Sequence, residues 1–182
     1  MKKAFKWLAG LLLALVLLLG GAFAGAIWYI RPQQELTLEH APLDLGAKGM
    51  NMVRSGKAEL FLSGEDINNL ARAHLKGQPQ VTPDFRIEGA QLDLQGNRMT
   101  ADINGRIRGQ IAVGVQAEYE LEWSDPNLIA TPVSVKLRGI QLPSTLLERM
   151  VIPVGDKLPP LVGIKSVQFR DGGVAVALQL QP

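Results

Sequence analysis

The sequence predicts an N-terminal transmembrane helix followed by one α+β domain, in which a long curved antiparallel sheet packs on two short helices. Three patterns predict this fold class: an uncharged apolar run at the start, alternating apolar and polar residues through 97–123, and two short segments with helical periodicity. Alternation gives a strand one apolar and one polar face, whereas apolar residues three and four apart share one face of a helix. The ~150 residues after the run suffice for one domain with its own core.

Residues 1–30 predict a signal anchor. Three lysines within the first six residues are the only charges, and the run Trp7–Ile30 has none. Such a run exceeds the ~20 residues that a transmembrane helix needs. Ala22-Phe23-Ala24 also fits a signal-peptidase cleavage site, but apolar residues continue past it, so we favour an uncleaved anchor. Either alternative carries the rest of the chain out of the cytoplasm, because the basic flank stays inside.

The anchor also contains a spacing that predicts helix pairing. Gly21 and Gly25 match the small-residue motif through which transmembrane helices approach one another closely. The motif predicts a weak dimer contact, although such matches also arise by chance in Gly- and Ala-rich spans.

Charge and motif content exclude several classes of function. The chain has 19 Lys+Arg and 17 Asp+Glu, and the three leading lysines account for the excess, so no basic surface suited to nucleic acid is predicted. The chain has no cysteine, which excludes disulfides and lipoprotein acylation. Neither His40 nor His74 stands in a metal-binding or nucleophile motif. We therefore expect no enzyme activity, no metal, no cofactor and no nucleic-acid partner.

The domain is expected to follow a stalk. Residues 31–57 are rich in Pro, Gln and Gly with weak periodicity, and the extracytoplasmic domain spans 58–182. A short strand leads into a helix at Ser63, because Ser63 and Asp66 have capping-box spacing. A second short helix is expected before Pro153. The strands are expected at 58–62, 85–94, 98–105, 109–123 and 128–142, with a closing hairpin around Asp171-Gly172-Gly173.

The alternating stretch is too long for one strand. At ~3.3 Å per residue it would extend about 80 Å, so we expect a turn or sharp bend between Gly105 and Gly109. The residues expected to be buried together are Ile103, Ile111, Val113, Val115, Tyr119 and Leu121. Those expected to be exposed are Arg108, Gln116, Glu118 and Glu120.

Two adjacent asparagines in the first helix are unusual, since Asn is a mediocre helix former. We expect one of Asn68 and Asn69 to bond a neighbouring strand end and the other to face water. Glu65 and Asp66 are explained by capping and by the helix dipole.

The two helices are expected to cover the apolar face of the sheet and to leave a hydrophobic groove beside it. An ordinary core is the alternative interpretation for most of the residues concerned. The expected wall residues are Ile67, Leu70, Ala71 and Leu75 in the first helix, and Leu146, Leu147 and Met150 in the second.

The order of elements resembles a known family. An anchor and stalk precede LFLSGEDINNLARAHL, then long strands, then VKLRGIQLPSTLLERMV and LPPLVGIKSVQFRDGGVAVALQL. This order, which covers most of 58–180, resembles the YpmS-like family of bacterial membrane-anchored proteins and, more distantly, TULIP-like lipid-binding domains. The resemblance implies a curved sheet that wraps a helix beside a hydrophobic groove. This chain departs from the TULIP-like pattern in having short helices.

Two functions from different classes follow as expectations. The first is a membrane-anchored extracytoplasmic protein that binds lipid or another apolar ligand in the groove. The second is a structural or adaptor subunit of a cell-envelope complex, which would bind a protein partner through a sheet edge or the charged sheet face. The expected location for both is the bacterial inner (cytoplasmic) membrane, with a single pass, the N-terminus inside and the C-terminal domain extracytoplasmic.

Overall fold

The computed structural model describes residues 2–43, 48, 58–153 and 162–180, with the side chains of the first helix described from Leu13 onward. The protein is α+β, with a strongly curled antiparallel sheet. Helices of the described part include α1 (Lys2–Tyr29), α2 (Gly64–Gly77) and the one-turn 3-10 helix Ser144–Leu146. Among the residues whose side chains are described, no helix is both long and apolar enough to cross a membrane.

All the strand pairs are antiparallel and form two sheets. The seven-stranded sheet contains β2 (Gln80–Thr82), β3 (Phe85–Gln95), β4 (Arg98–Ile107), β5 (Ile111–Ser124), β6 (Asn127–Leu137) and β7 (Ile140–Leu142) in that spatial order, with β8 (Met150–Pro153) also paired to β6. The three-stranded sheet has the order β1 (Glu59–Ser63), β10 (Gly173–Leu180), β9 (Val162–Arg170).

The long alternating stretch folds back at Arg108–Gln110, which confirms the predicted break. Arg108 and Gly109 take positive φ values of 50° and 70°, and β4 then pairs with β5 so that Ile103 lies opposite Val115. Odd-numbered residues pair with odd-numbered residues along this hairpin, so they share one face of the sheet. The alternation in the sequence therefore describes one face of a hairpin rather than one long strand.

Burial along this hairpin agrees in part with the sequence prediction. Val113, Tyr119 and Leu121 are buried, whereas the other three expected core residues, Ile103, Ile111 and Val115, are half-buried. On the opposite face Arg108 and Glu120 are exposed. The other two, Gln116 and Glu118, are half-buried because they bond across strands, Gln116 donating to Asp102 (2.8 Å) and Glu118 accepting from Lys136 (3.3 Å).

The apolar face of the large sheet is covered by the small sheet together with α2, and the prediction that two helices cover it is wrong for the second helix. The buried cluster is formed by Leu94, Ala101, Ala117, Tyr119, Leu121 and Ala130. Phe169 of β9, Val174 of β10 and Ile67 of α2 pack against this cluster. The reason is that β1 pairs with the closing hairpin through β10, which creates a second sheet wide enough to cover the first.

The predicted second helix is also wrong. Only Ser144–Leu146 form a single 3-10 turn, Pro143 precedes it, and no side chain caps it. The chain then extends as β8, in which Met150 pairs with Ala130 and Ile152 with Leu128 of β6. The open side of β6 pairs with the backbone of β8, and Val and Ile favour strands over helices.

The first part of the segment predicted as a stalk lies across the polar face of the large sheet. We call residues 30–41 the crossing segment. Gly114 N–H donates to the Ile30 carbonyl (3.1 Å), and the Asn104 amide donates to the Gln34 carbonyl (2.6 Å). A Cβ on Gly89 would lie 2.0 Å from the Leu36 carbonyl oxygen, so only glycine fits there. Of the rest of the predicted stalk, residues 44–47 and 49–57 lie outside the described residues.

The predicted capping box at the start of α2 is confirmed. Asp66 N–H donates to the Ser63 hydroxyl (3.3 Å), and Ser63 N–H donates to the Asp66 carboxylate (2.8 Å). Lys48 adds an ion pair to the same carboxylate at 2.5 Å. Partial burial raises the pKa of Asp66, but hydrogen bonds from Lys48 and Ser63 and the charge of Lys48 outweigh it, so the pKa lies below its ordinary value.

This lowered pKa predicts a pH dependence of stability. Because the folded pKa of Asp66 is below the ordinary 3.8, the stabilisation is fully present above that pH and is lost as the pH falls below it. The melting temperature should therefore be lower in Asp66→Asn than in wild type at neutral pH, and the difference should shrink as the pH falls below 3.8 and through the folded pKa of Asp66. Glu65→Gln, an exposed neighbour, is the control. A difference that stays constant with pH would contradict this role of Asp66.

Candidate interaction surfaces

The structure separates the seven predicted groove residues. Ile67 and Leu147 both pack against the buried cluster. Ile67 belongs to α2, and Leu147 follows the 3-10 turn. Ala71 and Leu75 are half-buried on α2. The remaining three, Leu70, Leu146 and Met150, are exposed. The second expected wall is not helical, since its residues belong to the 3-10 turn, to the residue after it and to β8.

Two clefts lie on the opposite, polar face of the large sheet, beside the crossing segment. Their volumes are about 720 Å³ and about 480 Å³. Arg31, Gln33, Gln34, Leu36 and Asn104 line both of them. Four of these five side chains are polar, so the clefts do not have the apolar lining that an acyl chain requires.

One edge of the large sheet is covered by α2. The Asn68 side chain donates to the Leu92 carbonyl of β3 (2.6 Å) and accepts from the Leu92 N–H (2.7 Å). Arg72 donates to the Ala90 carbonyl of the same strand (2.8 Å). These side chains bond to backbone groups of β3 that would otherwise be free to pair with another strand. The expectation that one asparagine bonds a strand is confirmed by Asn68, whereas Asn69 accepts a bond from Ala41 N–H (3.1 Å) instead of facing only water.

Other edges in the described part of the chain are also protected. The outer strand β2 has only three residues, and short strands pair poorly with a partner. The outer strand β9 carries Lys165 and ends at Arg170, and charges on an edge oppose pairing. Lys48 donates to the Phe61 carbonyl of the outer strand β1 (3.0 Å).

The edge strand β8 lacks this protection. Its residues Met150, Val151 and Ile152 are 39%, 56% and 38% exposed, and no residue of β8 is charged. One side of β8 pairs with β6, and no strand within 58–153 or 162–180 pairs with its other side. The sequence did not reveal this edge, because the segment before Pro153 was predicted to be a helix. The β-branched pair Val151-Ile152 before Pro153 was the signal that could have revealed it.

Helix α1 contacts the domain through its C-terminal end. Every residue from Leu13 to Ala26 is exposed. Arg138 of the β6–β7 turn donates to the Tyr29 carbonyl (2.7 Å), and its guanidinium lies 5.0 Å from the centre of the Tyr29 ring. The Leu-rich surface of α1 therefore stands free of the domain, while its last turn is fixed to the large sheet.

No protein-family model, curated protein or solved structure matches the chain. The resemblance to the YpmS-like family and to TULIP-like domains accordingly stays a prediction. Within the described residues, no group of three or more His, Asp or Glu side chains is arranged to hold a metal ion. The two histidines, His40 and His74, are both exposed.

Proposed function

We propose that this protein is a membrane-anchored adaptor of the cell envelope, which holds a partner protein at β8 of an extracytoplasmic domain. The observation that carries the proposal is the exposed and uncharged edge Met150–Ile152. Folded proteins protect the edges of their sheets because an unprotected edge recruits further strands. Here the edges of β1, β2, β3 and β9 are blocked, short or charged. The edge strand β7 is also uncharged but has only three residues, so β8 is the longest unprotected edge among the described strands, and this favours a binding role.

The chemistry of β8 specifies the kind of partner. Strand addition uses main-chain hydrogen bonds for affinity and alternating side-chain contacts for specificity. Because successive residues of a strand point to opposite faces, Met150 and Ile152 lie on one face and Val151 on the other. The partner is therefore an extended protein segment. Its side chains that lie opposite these three residues are apolar and uncharged.

The anchoring part of the proposal rests on α1. This helix has 28 residues, which at 1.5 Å per residue extend about 42 Å, and the sequence has no charge from Trp7 to Ile30. A helix that is apolar and exposed on all sides suits a lipid environment. The lysines in its first turns favour an N-terminus in the cytoplasm and a domain outside the bacterial inner membrane. Gly21 and Gly25 have open space where a Cβ would stand, which leaves room for a second helix in a weak dimer.

Site-specific photocrosslinking in cells tests the adaptor proposal. A benzoylphenylalanine residue at Val151 should give one discrete adduct, while the same residue at Val81, which is equally apolar and exposed on β2, should give none. An adduct with the mass of two chains would identify the partner as a second copy. Equal adducts at both positions, or none at Val151, would contradict strand addition at β8.

A charge on β8 should abolish the interaction without unfolding the domain. Val151→Lys places a cation on the edge, which opposes pairing by another strand. Because Val151 is exposed, the free energy of unfolding should change by no more than ~0.5 kcal/mol. The adduct formed from a probe at Met150 should then disappear, and Val81→Lys should leave it intact. An adduct that persists in Val151→Lys would count against the role of the edge.

A lipid ligand is the second candidate function. The observation that favours it is the exposure of Leu70, Leu146 and Met150, three of the seven predicted groove residues. Burying an acyl chain against such surface gains ~0.8 kcal/mol per CH₂ group. Native mass spectrometry of the full chain released from detergent would show a retained lipid as added mass. Leu70→Trp should remove that mass and keep the fold, since Leu70 has room at the surface.

A further inference from the structure

The α1-attached end of the large sheet is defined by two turns. The β4–β5 turn (Arg108–Gln110) and the β6–β7 turn (Arg138-Gly139) lie at the same end, because β4 and β6 both run antiparallel to β5 between them. Arg138 is also the residue that holds Tyr29 of α1. We call this the proximal end of the sheet, and the end with the β5–β6 turn at Asp125-Pro126 the distal end.

The two ends carry opposite charge. At the proximal end Arg86 lies opposite Arg106 across β3 and β4, and Arg31, Arg108 and Arg138 lie nearby. Two acids at this end pair with arginines, Asp84 with Arg108 (3.1 Å) and Glu88 with Arg106 (2.8 Å), and Asp102 lines the second cleft together with Arg31 and Arg138. Glu35 of the crossing segment lines the neighbouring cleft.

The register of the same strands places acidic residues at the distal end. Asp93, Thr100 and Glu118 lie side by side on β3, β4 and β5, with Glu118 paired to Lys136 of β6 (3.3 Å), and Glu120 lies opposite Arg98. Glu122 and Asp125 follow towards the β5–β6 turn and are exposed. The charge of the large sheet is therefore separated along its strands, although the whole chain is close to neutral.

The proximal end combines its positive charge with an exposed apolar residue. Ile140 comes directly after the Arg138-Gly139 turn and is 51% exposed, and the Arg108 side chain is 76% exposed. Arginines next to an apolar side chain are typical of surfaces that rest on lipid headgroups, since the cations attract anionic lipid and the apolar group enters the interface.

We propose that the proximal end of the large sheet rests on anionic lipid headgroups of the membrane that holds α1. This inference rests on the proposed membrane anchor. The bonds between Arg138 and Tyr29 and the crossing segment between α1 and the sheet hold that end close to the bilayer surface. The basic end then faces the negative surface, while the acidic end points away from it. Membrane contact would orient the domain and present its β8 edge in a fixed direction.

Fluorescence quenching from labelled lipids tests this orientation in the full chain. The chain has no cysteine, so a single introduced cysteine accepts one fluorophore. Gln110→Cys places it beside the first residue of β5, and Glu122→Cys places it near the other end of the same strand. These exposed positions are about 40 Å apart along the strand, well beyond the ~8–10 Å over which salt screens charges. The protein is reconstituted in vesicles of phosphatidylcholine, alone or with one quarter phosphatidylglycerol, that carry a headgroup quencher.

We expect strong quenching of the label at Gln110→Cys in the vesicles that contain phosphatidylglycerol. Quenching of this label should be weaker in vesicles of phosphatidylcholine alone and at high salt. The label at Glu122→Cys should stay unquenched under all of these conditions. Arg108→Gln should lower the membrane-bound population of the proximal end about fivefold. Equal quenching at both labels, or equal quenching in both vesicle types, would overturn the inference while leaving the anchor intact. If the chain does not float with the vesicles at all, the anchor and the inference both fail.

Discussion

Val113→Asp is expected to destabilise the domain by about 3–5 kcal/mol, because it buries a carboxylate with no cation to pair with it. Val113 is 1% exposed, and it is the largest of the fully buried side chains in the described part of the chain. It lies on β5 opposite Gly105, on the predicted apolar face close to the β4–β5 turn. Urea unfolding of the detergent-solubilised chain, followed by circular dichroism, would measure the change.

Glu122→Lys is the matched control for this substitution. It lies on the same strand, is exposed, and also changes charge, so the free energy of unfolding should shift by no more than ~0.5 kcal/mol. Similar midpoints for the two variants would mean that the odd-numbered face of β5 is not the interior of the protein.

Asn68→Ala is expected to have the second largest effect. It leaves both backbone groups of Leu92 without their partner, and each unsatisfied group costs about 1–3 kcal/mol. Water that reaches the half-buried edge offsets part of this cost, so we expect a loss of ~2–4 kcal/mol in the free energy of unfolding. The same urea experiment measures it.

Asn69→Ala is the control, because it makes the same change at the next position of α2. The gain in helix propensity is the same for both variants and cancels in the comparison. Asn69 makes one exposed bond, to Ala41 N–H, so its loss should cost no more than ~1 kcal/mol. If Asn69→Ala destabilises as much as Asn68→Ala, then Asn68 does not act by covering the β3 edge.

Local patterns in the sequence predicted those elements whose cause is local. The β4–β5 hairpin follows from strict alternation on either side of a turn, and the start of α2 follows from the spacing of Ser63 and Asp66. In both cases the residues that decide the structure lie within a few positions of one another or repeat along one strand.

The elements that the sequence predicted wrongly depend on distant partners. Residues 144–151 have helical spacing, yet they become a turn and β8 because β6, some twenty residues earlier, has an open side. The closing hairpin forms as predicted, but its pairing with β1, more than a hundred residues away in the chain, was not predicted. The β8 edge, on which the adaptor proposal depends, could therefore not be inferred from periodicity.

The crossing segment left a weaker signal in the sequence. Gly89 and Gly114 interrupt the polar face of two strands, and the structure shows that Leu36 and Pro32 lie against them. A glycine in a strand indicates close approach of another backbone, but it does not indicate which segment approaches. For this reason the Pro- and Gln-rich residues after α1 could be assigned only to a stalk.

The pairing of β1 with β10 has a consequence for how the protein is made. The cover over the apolar face of the large sheet includes β9 and β10, the last strands of the chain, so the sheet is complete before its cover has been synthesised. During that interval the apolar faces of β3 to β6 are open to solvent and prone to aggregation. A nascent chain that stops before Val162 would remain in this state. We therefore expect the chain to need protection from aggregation between the synthesis of β6 and that of β10.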